Sequence, residues 1–425
     1  MYCPSQQVGE MTWYRKIRNE ILIGGAEEAP AQETKDARWV GLVVLGLLVW
    51  LGVENPWALV FVLGLVISVF LHEVGHYVTA RRSGMKVTQF YMGFGPKVWS
   101  IQRGEVEYGV RAFPIGAFVR IIGMSSEDNE VEPEDESRTY RAQSYPKRML
   151  VITAGSLMHL VIAASLIVGI YSFSGRYQET GQVRIMEAPA AETAAAAAGL
   201  QSGDRIVAID GESMRTRDKF SRAIIGHEPG DQIEILIERG GNEMVLAATL
   251  GTHPADETKS TPYLGVYTQS RDYQTMDPLR SLWWGFGDIV DMAASSARGV
   301  VTALNPMNSL KHLTNSDSVG DESRPTTVVG ATQVGGAIGR DDGLKGVLLL
   351  LAAVNVFVGV FNMFPMLPFD GGHAAVATYE RLRSRRGRRY FADISKMVPV
   401  TFVVVALVLF LFATGLYLDI TDPLG

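Results

Sequence analysis

Two histidines of this sequence stand four residues apart in the segment HEVGH at 72–76. The apolar composition around them predicts a helix, on which residues four apart share one face, so His72 and His76 can bind one metal ion. Glu73 lies on nearly the same side, close enough to take a proton from a water molecule on the metal. Zinc lowers the pKa of such a water to about 7. The segment therefore predicts a hydrolytic zinc site, against the alternative that these side chains only hydrogen-bond one another.

A catalytic zinc needs a third protein ligand, and the segment NMFPMLPFDGGH at 362–373 contains a candidate. Its prolines and glycines break an apolar stretch, which frees backbone groups and lets water approach. We assign Asp370 as the third ligand; the alternative is an aspartate that caps the start of a helix. His373 is interpreted as a structural or supporting histidine rather than a ligand.

The elements that must position these residues are apolar stretches, which occur at 39–53, 57–80, 149–173, 344–367 and 398–418. Crossing a bilayer takes about 20 apolar residues, so the last four are predicted to span the membrane. The stretch 39–53 is shorter, and is interpreted as a short extra span; the alternative is an interfacial helix. Overall, 47% of the chain is hydrophobic and 20% is charged, which indicates several spans together with a water-exposed domain. The net charge of −6 gives no indication of a nucleic-acid partner.

Lys and Arg residues are concentrated in particular connections between these stretches, which predicts the orientation of the chain. Cytoplasmic loops are rich in Lys and Arg, so 81–148 and 374–397 are predicted inside, and 174–343 and the C-terminus outside. The segment 1–37 is predicted to be cytoplasmic. Both candidate site segments then lie at cytoplasmic ends of spans, where they can meet.

Two further segments predict β-structure. Residues 105–120 alternate between apolar and polar side chains around glycines, which favours a β-hairpin or short re-entrant sheet lining a cavity. Residues 182–253 read as a small mixed β domain on their own. The sequence AGLQSGDRIVAIDG at 198–211 resembles a PDZ domain of the bacterial protease type, which implies binding of extended chains by strand addition.

The two chemical motifs together resemble the bacterial branch of the site-2 protease family. Its marks are HExxH in one span and N-x-x-P-x-x-P-x-DG in a later one, here at 72–76 and 362–372. The similarity extends from residue 57 to the last span and includes GFGP at 93–96 and VVG at 328–330. It implies that His72, His76 and Asp370 bind Zn2+, that Glu73 is the catalytic base, and that Asn362 lies near the substrate backbone. Backbone amides near Gly371 are a further candidate for holding the substrate.

One departure from the family pattern concerns His159. The family usually has A-G-P-x-x-N where this chain has AGSLMH at 154–159, so a histidine replaces the expected asparagine. We interpret His159 as a supporting residue near the site, or as a tolerated change, rather than as a true ligand.

The predicted fold class is an α-helical polytopic membrane protein with about four to five spans, a membrane-associated β-hairpin region and one inserted extracytoplasmic PDZ-like domain of mixed α/β type. The predicted segments are 1–37 (cytoplasmic), 38–56 (extra helix), 57–173 (first half of the protease core), 182–253 (PDZ-like), 254–343 (linker with an amphipathic helix) and 344–425 (second half of the core).

The resemblance implies an intramembrane zinc metallopeptidase of a bacterial cytoplasmic membrane. Its expected substrates are single-span membrane proteins, such as anti-sigma factors already trimmed by a site-1-type protease, or signal-peptide remnants. A PDZ-bearing membrane scaffold with a structural metal site and a metal transporter are the alternatives. The transporter would require further acidic or histidine residues within the spans, and His159 is the one such residue that stands out.

Overall fold

The computed structural model describes residues 34–124, 131–256, 261–305, 307, 311–312, 324–384, 390–392 and 394–423. Most of the predicted segment 1–37 therefore lies outside the described residues. The chain divides into two compact units, one formed by Gly169–Ser281 and the other by the residues on either side of it.

The helices of the described chain are α1 (Thr34–Glu54), α2 (Pro56–Arg82), α3 (Tyr145–Phe173), α4 (Ala194–Ala197), α5 (Arg217–Ile225), α6 (Pro278–Ala303), α7 (Val328–Asn362), α8 (Asp370–Arg383) and α9 (Val398–Thr421), with 3-10 turns at Glu136–Arg138 and Ile394–Met397. Of these, α2, α3, α7 and α9 are long and apolar enough to cross a membrane. Four predicted spans are thereby confirmed. The apolar part of α1, Trp39–Glu54, is shorter than a span, so its crossing of the membrane stays a prediction.

A tight turn joins α1 to α2. The Asn55 side chain accepts a hydrogen bond from the Ala58 backbone N–H at 3.1 Å, and Pro56 occupies the first helical position. Asparagine is a favoured N-cap. Proline is favoured at the first helical position, because the backbone N–H that it lacks would have no intrahelical acceptor there. The sequence Asn-Pro therefore starts α2 at this point.

The strands of the first unit are β1 (Val87–Arg103) and β2 (Val106–Ile121), which pair antiparallel. The predicted hairpin at 105–120 is therefore only the second strand of a longer hairpin, whose turn contains Gly104 at φ 61°. Tyr91 pairs with both Phe118 and Gly109, so the first part of β1 lies between two parts of β2. The apolar–polar alternation of β1 is interrupted by Gly93 and Gly95, both at positive φ, which is why the sequence pattern did not reveal this strand.

The strands of the second unit are β3 (Arg176–Ile185), β4 (Arg205–Ile209), β5 (Glu212–Ser213), β6 (Gln232–Arg239), β7 (Asn242–Thr249), β8 (Gly251–Thr252), β9 (Pro262–Tyr263) and β10 (Thr268–Gln274). The unit is built on an antiparallel sheet with the strand order β10-β3-β4-β6-β7, in which β5 also pairs with β4. Strands β8 and β9 form a separate short pair. Ile206, Ile233, Ile235 and Ile237 are fully buried in its core. The sheet of this PDZ-like domain includes residues outside 182–253, since β3 begins at Arg176 and β10 follows at Thr268–Gln274.

A buried aspartate fixes the start of α7. Asp419 of α9 is fully buried, and its Oδ2 accepts hydrogen bonds from the Thr327 backbone N–H at 2.8 Å, the Thr327 hydroxyl at 2.7 Å and the Gly330 N–H at 3.0 Å. These donors belong to the first turn of a helix, which lacks intrahelical acceptors for them. The last span therefore caps the span that precedes α8.

Close packing of α7 on α2 places both helices beside the candidate site. A Cβ at Gly64 would lie 2.5 Å from the Leu351 side chain, so a larger residue there would require that side chain to shift. Phe61, Val347 and Leu351 form the buried cluster at this contact. Gly343 has non-helical angles within α7 (φ 65°, ψ −152°), which separates 344–362 from the preceding helical residues.

Candidate active site

Two glycines allow α2 and α3 to approach each other closely. A Cβ at Gly75 would lie 2.8 Å from the carbonyl oxygen of Ala154. A Cβ at Gly155 would lie 2.4 Å from His72 Cε1 and from His76 Nε2. The two imidazoles therefore lie directly against the backbone of α3, and Gly155 is the residue that makes room for them.

Three side chains from two distant parts of the sequence form a compact group. His72 Nε2 and His76 Nε2 are 3.1 Å apart, and Asp370 Oδ2 lies 3.5 Å from the first and 3.4 Å from the second. Both histidines are buried, and the Asp370 side chain is 19% exposed. These three form the group among the described residues that is suited to hold a metal ion.

The spacing of these atoms fits zinc. Zinc–nitrogen and zinc–oxygen bonds of about 2.0–2.2 Å in a tetrahedral arrangement place ligand atoms about 3.3–3.6 Å apart. The observed sides of 3.1, 3.4 and 3.5 Å lie close to that range. Asp370 Oδ2 is buried and has no hydrogen-bond partner among the described residues. A buried carboxylate oxygen without a donor is costly unless a cation lies beside it. Both the donor set and its spacing therefore suit a zinc ion.

The tautomer of His76 is fixed by the backbone of α3. Its Nδ1 lies 2.8 Å from the carbonyl oxygen of Val151, which can only accept, so Nδ1 carries the proton. The Nε2 lone pair therefore faces His72 and Asp370, as ligation requires. The Nδ1 of His72 is buried and has no such partner among the described residues, so no hydrogen bond at that nitrogen orients the ring.

Asp370 is the first residue of α8, and glycines bring this helix start into place. A Cβ at Gly371 would lie 2.2 Å from the carbonyl oxygen of Met363, and one at Gly372 would lie 2.5 Å from the backbone nitrogen of Leu367. The helix start thus lies directly on the turn that precedes it. Asp370 does stand at a helix start, as the capping alternative predicted, but no side-chain cap bond is made there and its carboxylate lies beside the histidines.

Glu73 lies beside the metal-binding group without joining it. Its Oε1 is 3.9 Å from His72 Nε2, and its side chain is 14% exposed. An oxygen at this distance is too far to share the ligand triangle and near enough to contact a small molecule held there. The glutamate therefore has the position expected of a group that exchanges protons with a bound water.

A buried polar chain supports the site from the other spans. His159 of α3 is 2% exposed, its ring centroid lies 5.0 Å from that of His72, and its Nδ1 donates to Asn355 Oδ1 at 2.8 Å. The Asn355 amide in turn donates to the hydroxyl of Ser68 at 3.0 Å and to the carbonyl of Leu351 at 2.8 Å. His159 lies outside the metal-binding group. Sequence reasoning missed Asn355, although a polar residue within an apolar span is a signal for function.

The other predicted residues lie at the end of α7 and in the first turn of α8. Asn362 is the last residue of α7, and Gly371 is the second residue of α8. His373 follows on the first turn of α8, is partly exposed and does not belong to the metal-binding group.

Comparison with known proteins agrees with this geometry. Residues 60–406 match the family model described as Peptidase family M50. The chain is 31% identical over 397 residues to the zinc metalloprotease Rip1 of Mycobacterium tuberculosis, covering 86% of this chain and 97% of that protein. It is 32% identical over 399 residues to Rip1 of Mycolicibacterium smegmatis, with the same coverage of 86% and 97%. It is also 28% identical over 304 residues to a putative zinc metalloprotease of Clostridium perfringens, covering 72% of this chain and 82% of that protein.

Among solved structures, the PDZ domain of the SdrC-like protein from Listeria monocytogenes is similar at 25% identity, covering 21% of this chain and 90% of that chain with a TM-score of 0.19. The family model spans most of the chain, and the mycobacterial relatives are matched over nearly their whole length. The resemblance to site-2 proteases is therefore confirmed, and the chain belongs to peptidase family M50, the site-2 protease family of zinc metalloproteases.

Proposed function

We propose that this metalloprotease hydrolyses peptide bonds within or near the membrane-spanning segment of single-span membrane proteins. The observation that carries the proposal is the triangle of His72 Nε2, His76 Nε2 and Asp370 Oδ2, with sides of 3.1–3.5 Å, in which both histidines belong to a membrane-spanning helix. Ionisable residues in such helices are expensive to bury, and they are retained where they do chemistry.

In the proposed reaction, His72, His76 and Asp370 hold the zinc ion and Glu73 moves the proton. Zinc bound there would polarise the scissile carbonyl and lower the pKa of the attacking water. Glu73 accepts the proton of that water as its oxygen attacks the carbonyl carbon. Glu73 then delivers the proton to the amide nitrogen as the carbon–nitrogen bond breaks, which leaves a free amine. His76 stays oriented throughout by its bond to the Val151 carbonyl.

Substrate positioning is assigned to residues beside this group. The Asn362 side chain and backbone N–H groups near Gly371 are proposed to bind the substrate backbone, because they flank the start of α8 that carries Asp370. The β-hairpin is proposed to hold the unwound substrate as an added strand near residues 108–120. His159 is proposed to hold the His72 ring in place, since the two rings lie 5.0 Å apart.

The proposed setting is a bacterial cytoplasmic membrane, with the active site near the cytoplasmic side and the PDZ-like domain outside. The distribution of Lys and Arg between the connecting segments supports this orientation. The proposed substrates are anti-sigma factors or signal-peptide remnants. The PDZ-like domain would admit substrates whose outside part a site-1-type protease has already shortened.

The test uses the full chain in lipid nanodiscs with a single-span substrate. Wild type, Glu73→Gln and the matched control Glu243→Gln, an exposed residue of β7, are compared for zinc content by mass spectrometry and for cleavage. All three are expected to contain zinc, whereas Glu73→Gln should lose about 10²–10⁴-fold in cleavage rate because it lacks the proton acceptor. A Glu73→Gln protein that keeps zinc and still cleaves would refute the mechanism. Zinc retention without cleavage of any substrate by wild type would favour the scaffold alternative.

A further inference from the structure

A cavity of about 160 Å³ lies away from the active site, between the start of α3, the end of α8 and the segment 390–392. Its lining includes Arg141, Arg148 and Arg381, together with Ser144 and Phe391. None of the proposed zinc ligands lines it, nor does Glu73. We call it the basic cavity.

A buried glutamate builds one wall of the basic cavity. Glu380 is 6% exposed; its Oε2 lies 2.7 Å from the Arg148 guanidinium, and its Oε1 accepts a hydrogen bond from the Ala392 backbone N–H at 2.8 Å. The Ser384 hydroxyl accepts from the Tyr390 N–H at 2.9 Å. These bonds hold the segment 390–392 against the end of α8, so specific hydrogen bonds fix this wall of the cavity.

The charge of the lining favours an anion. Three arginines and one glutamate line the cavity, which gives a net charge of +2 from 3 − 1. Arg148 is neutralised by Glu380, and Arg141 pairs with Glu136 at 2.6 Å outside the lining. Arg381 is exposed and forms no ion pair with the residues that the structure describes. Arg148 Nε is buried and has no hydrogen-bond acceptor among the residues that the structure describes. Guanidinium groups bind phosphate oxygens especially well.

The size of the cavity and its position at the end of α3 favour a phospholipid headgroup over a soluble anion. A water molecule takes up about 30 Å³, so the cavity has the volume of about five waters, enough for a phosphate group. It lies at the end of a membrane-spanning helix, since α3 begins at Tyr145. Basic pockets between spans on the cytoplasmic side bind anionic headgroups. Phe391 lines it and is 53% exposed, as suits contact with glycerol and acyl groups.

We propose that the basic cavity binds the phosphate of an anionic phospholipid. The site lies at the opposite end of α8 from Asp370, and the Tyr145 hydroxyl, 3.2 Å from the Thr378 hydroxyl, joins α3 to α8 beside it. A bound headgroup is therefore placed to hold the end of α8 against the start of α3. This binding does not depend on the proposed peptidase reaction.

The experiment measures lipid binding to the full chain in detergent by native mass spectrometry. Dioleoylphosphatidylglycerol is compared with dioleoylphosphatidylcholine, which has the same acyl chains and no net charge, and with inorganic phosphate, which has no acyl chains. Arg381→Gln removes the arginine that has no ion pair among the described residues, and Ser144→Trp fills the cavity without changing charge. Arg82→Gln is the matched control, because it removes the same charge from an exposed arginine at the end of α2.

Wild type is expected to bind the phosphatidylglycerol in preference to the phosphatidylcholine. Each arginine near a headgroup contributes about 1 kcal/mol, so Arg381→Gln should weaken phosphatidylglycerol binding about fivefold, and Arg82→Gln should leave it unchanged. Ser144→Trp should weaken it as well, while both cavity variants unfold thermally like wild type. Equal binding of the two lipids, equal losses in Arg381→Gln and Arg82→Gln, or displacement of the lipid by millimolar inorganic phosphate would each overturn the proposal. If Arg381→Gln fails to fold, unchanged binding by Ser144→Trp would still overturn it.

Discussion

Replacing Gly155 with alanine should displace the proposed zinc ligands without touching any of them. The new Cβ would lie 2.4 Å from His72 Cε1 and His76 Nε2, and 2.6 Å from His72 Nε2. Non-bonded carbon atoms prefer a separation of about 3.5–4.0 Å, so the imidazoles or the α3 backbone must move by about 1 Å. A misplacement of about 1 Å at a reacting centre costs about 10²-fold in rate. We therefore expect weaker zinc binding and a loss of about 10²-fold in cleavage.

The assay for this variant combines zinc affinity, by competition with a chromophoric chelator, with cleavage of a single-span substrate in nanodiscs. Gly169→Ala is the matched control, because it adds the same methyl group to the same helix where no heavy atom lies within 4 Å. Alanine is favoured over glycine within a helix by about 1 kcal/mol, so this control should bind zinc normally and be at least as stable as wild type.

Wild-type zinc affinity and cleavage in Gly155→Ala would refute the reasoning. That result would mean that the imidazoles do not lie against the α3 backbone, and that the close crossing of α2 and α3 does not shape the site. Loss of zinc by both alanine variants would mean that α3 tolerates no added methyl group. That result would refute a specific role for Gly155.

Three further variants test separate parts of the structure. His159→Ala should weaken zinc binding about 10–100-fold by chelator competition, because the His159 ring is proposed to hold the His72 ring in place. Asp204→Asn should lower the stability of the PDZ-like domain by about 2 kcal/mol at pH 7, measured by hydrogen exchange, because it loses paired bonds of 2.7 Å from Arg239. Burial disfavours the charged form of Asp204, but the hydrogen bonds from Arg239 and from the backbone outweigh the effect of burial and lower the pKa of Asp204. The difference in stability between wild type and Asp204→Asn should therefore vanish as pH falls below about 4. Asp419→Ala should destabilise the detergent-solubilised chain by about 2 kcal/mol in thermal unfolding, because α7 loses its cap.

Each of these variants has an outcome that would contradict the reasoning, and Asp419→Ala also has a control variant. Asp291 of α6 is exposed, so Asp291→Ala should leave unfolding nearly unchanged, and equal losses in Asp419→Ala and Asp291→Ala would contradict the capping role. A pH-independent effect of Asp204→Asn would show that the variant acts through packing instead of charge. For His159→Ala, unfolding of the zinc-free protein separates a specific effect on the zinc site from a general packing defect. A fall in zinc affinity together with an equal fall in the stability of the metal-free chain would indicate the packing defect.

Much of the candidate site can be predicted from the sequence, because some of the residues that form it lie close together in the chain. The helical spacing of His72 and His76 determines that they share a face, and the prolines and glycines before Asp370 predict a break where a carboxylate can approach. The structure brings the three together as the two motifs predicted. Four of the spans also follow from length and composition alone.

The roles of Gly155 and Asn355 could not be predicted, because they depend on contacts between segments far apart in sequence. Gly155 matters only because α3 crosses α2 at the histidines, and no local pattern specifies that crossing. Asn355 matters because it faces both His159 and Ser68, on two other helices. The first strand of the hairpin was missed for a different reason: Gly93 and Gly95 disrupt the alternation that would reveal a strand.

The origin of the three candidate ligands in α2 and α8 has a consequence for biosynthesis. A ribosome makes the histidine pair early and the aspartate only after most of the chain, including the whole PDZ-like domain, has been synthesised. An incomplete chain therefore carries imidazoles that cannot form the full site. We expect metal loading and hydrolytic activity to begin only once the segment carrying Asp370 has been inserted beside α2, so that a prematurely terminated chain poses no proteolytic hazard to its membrane.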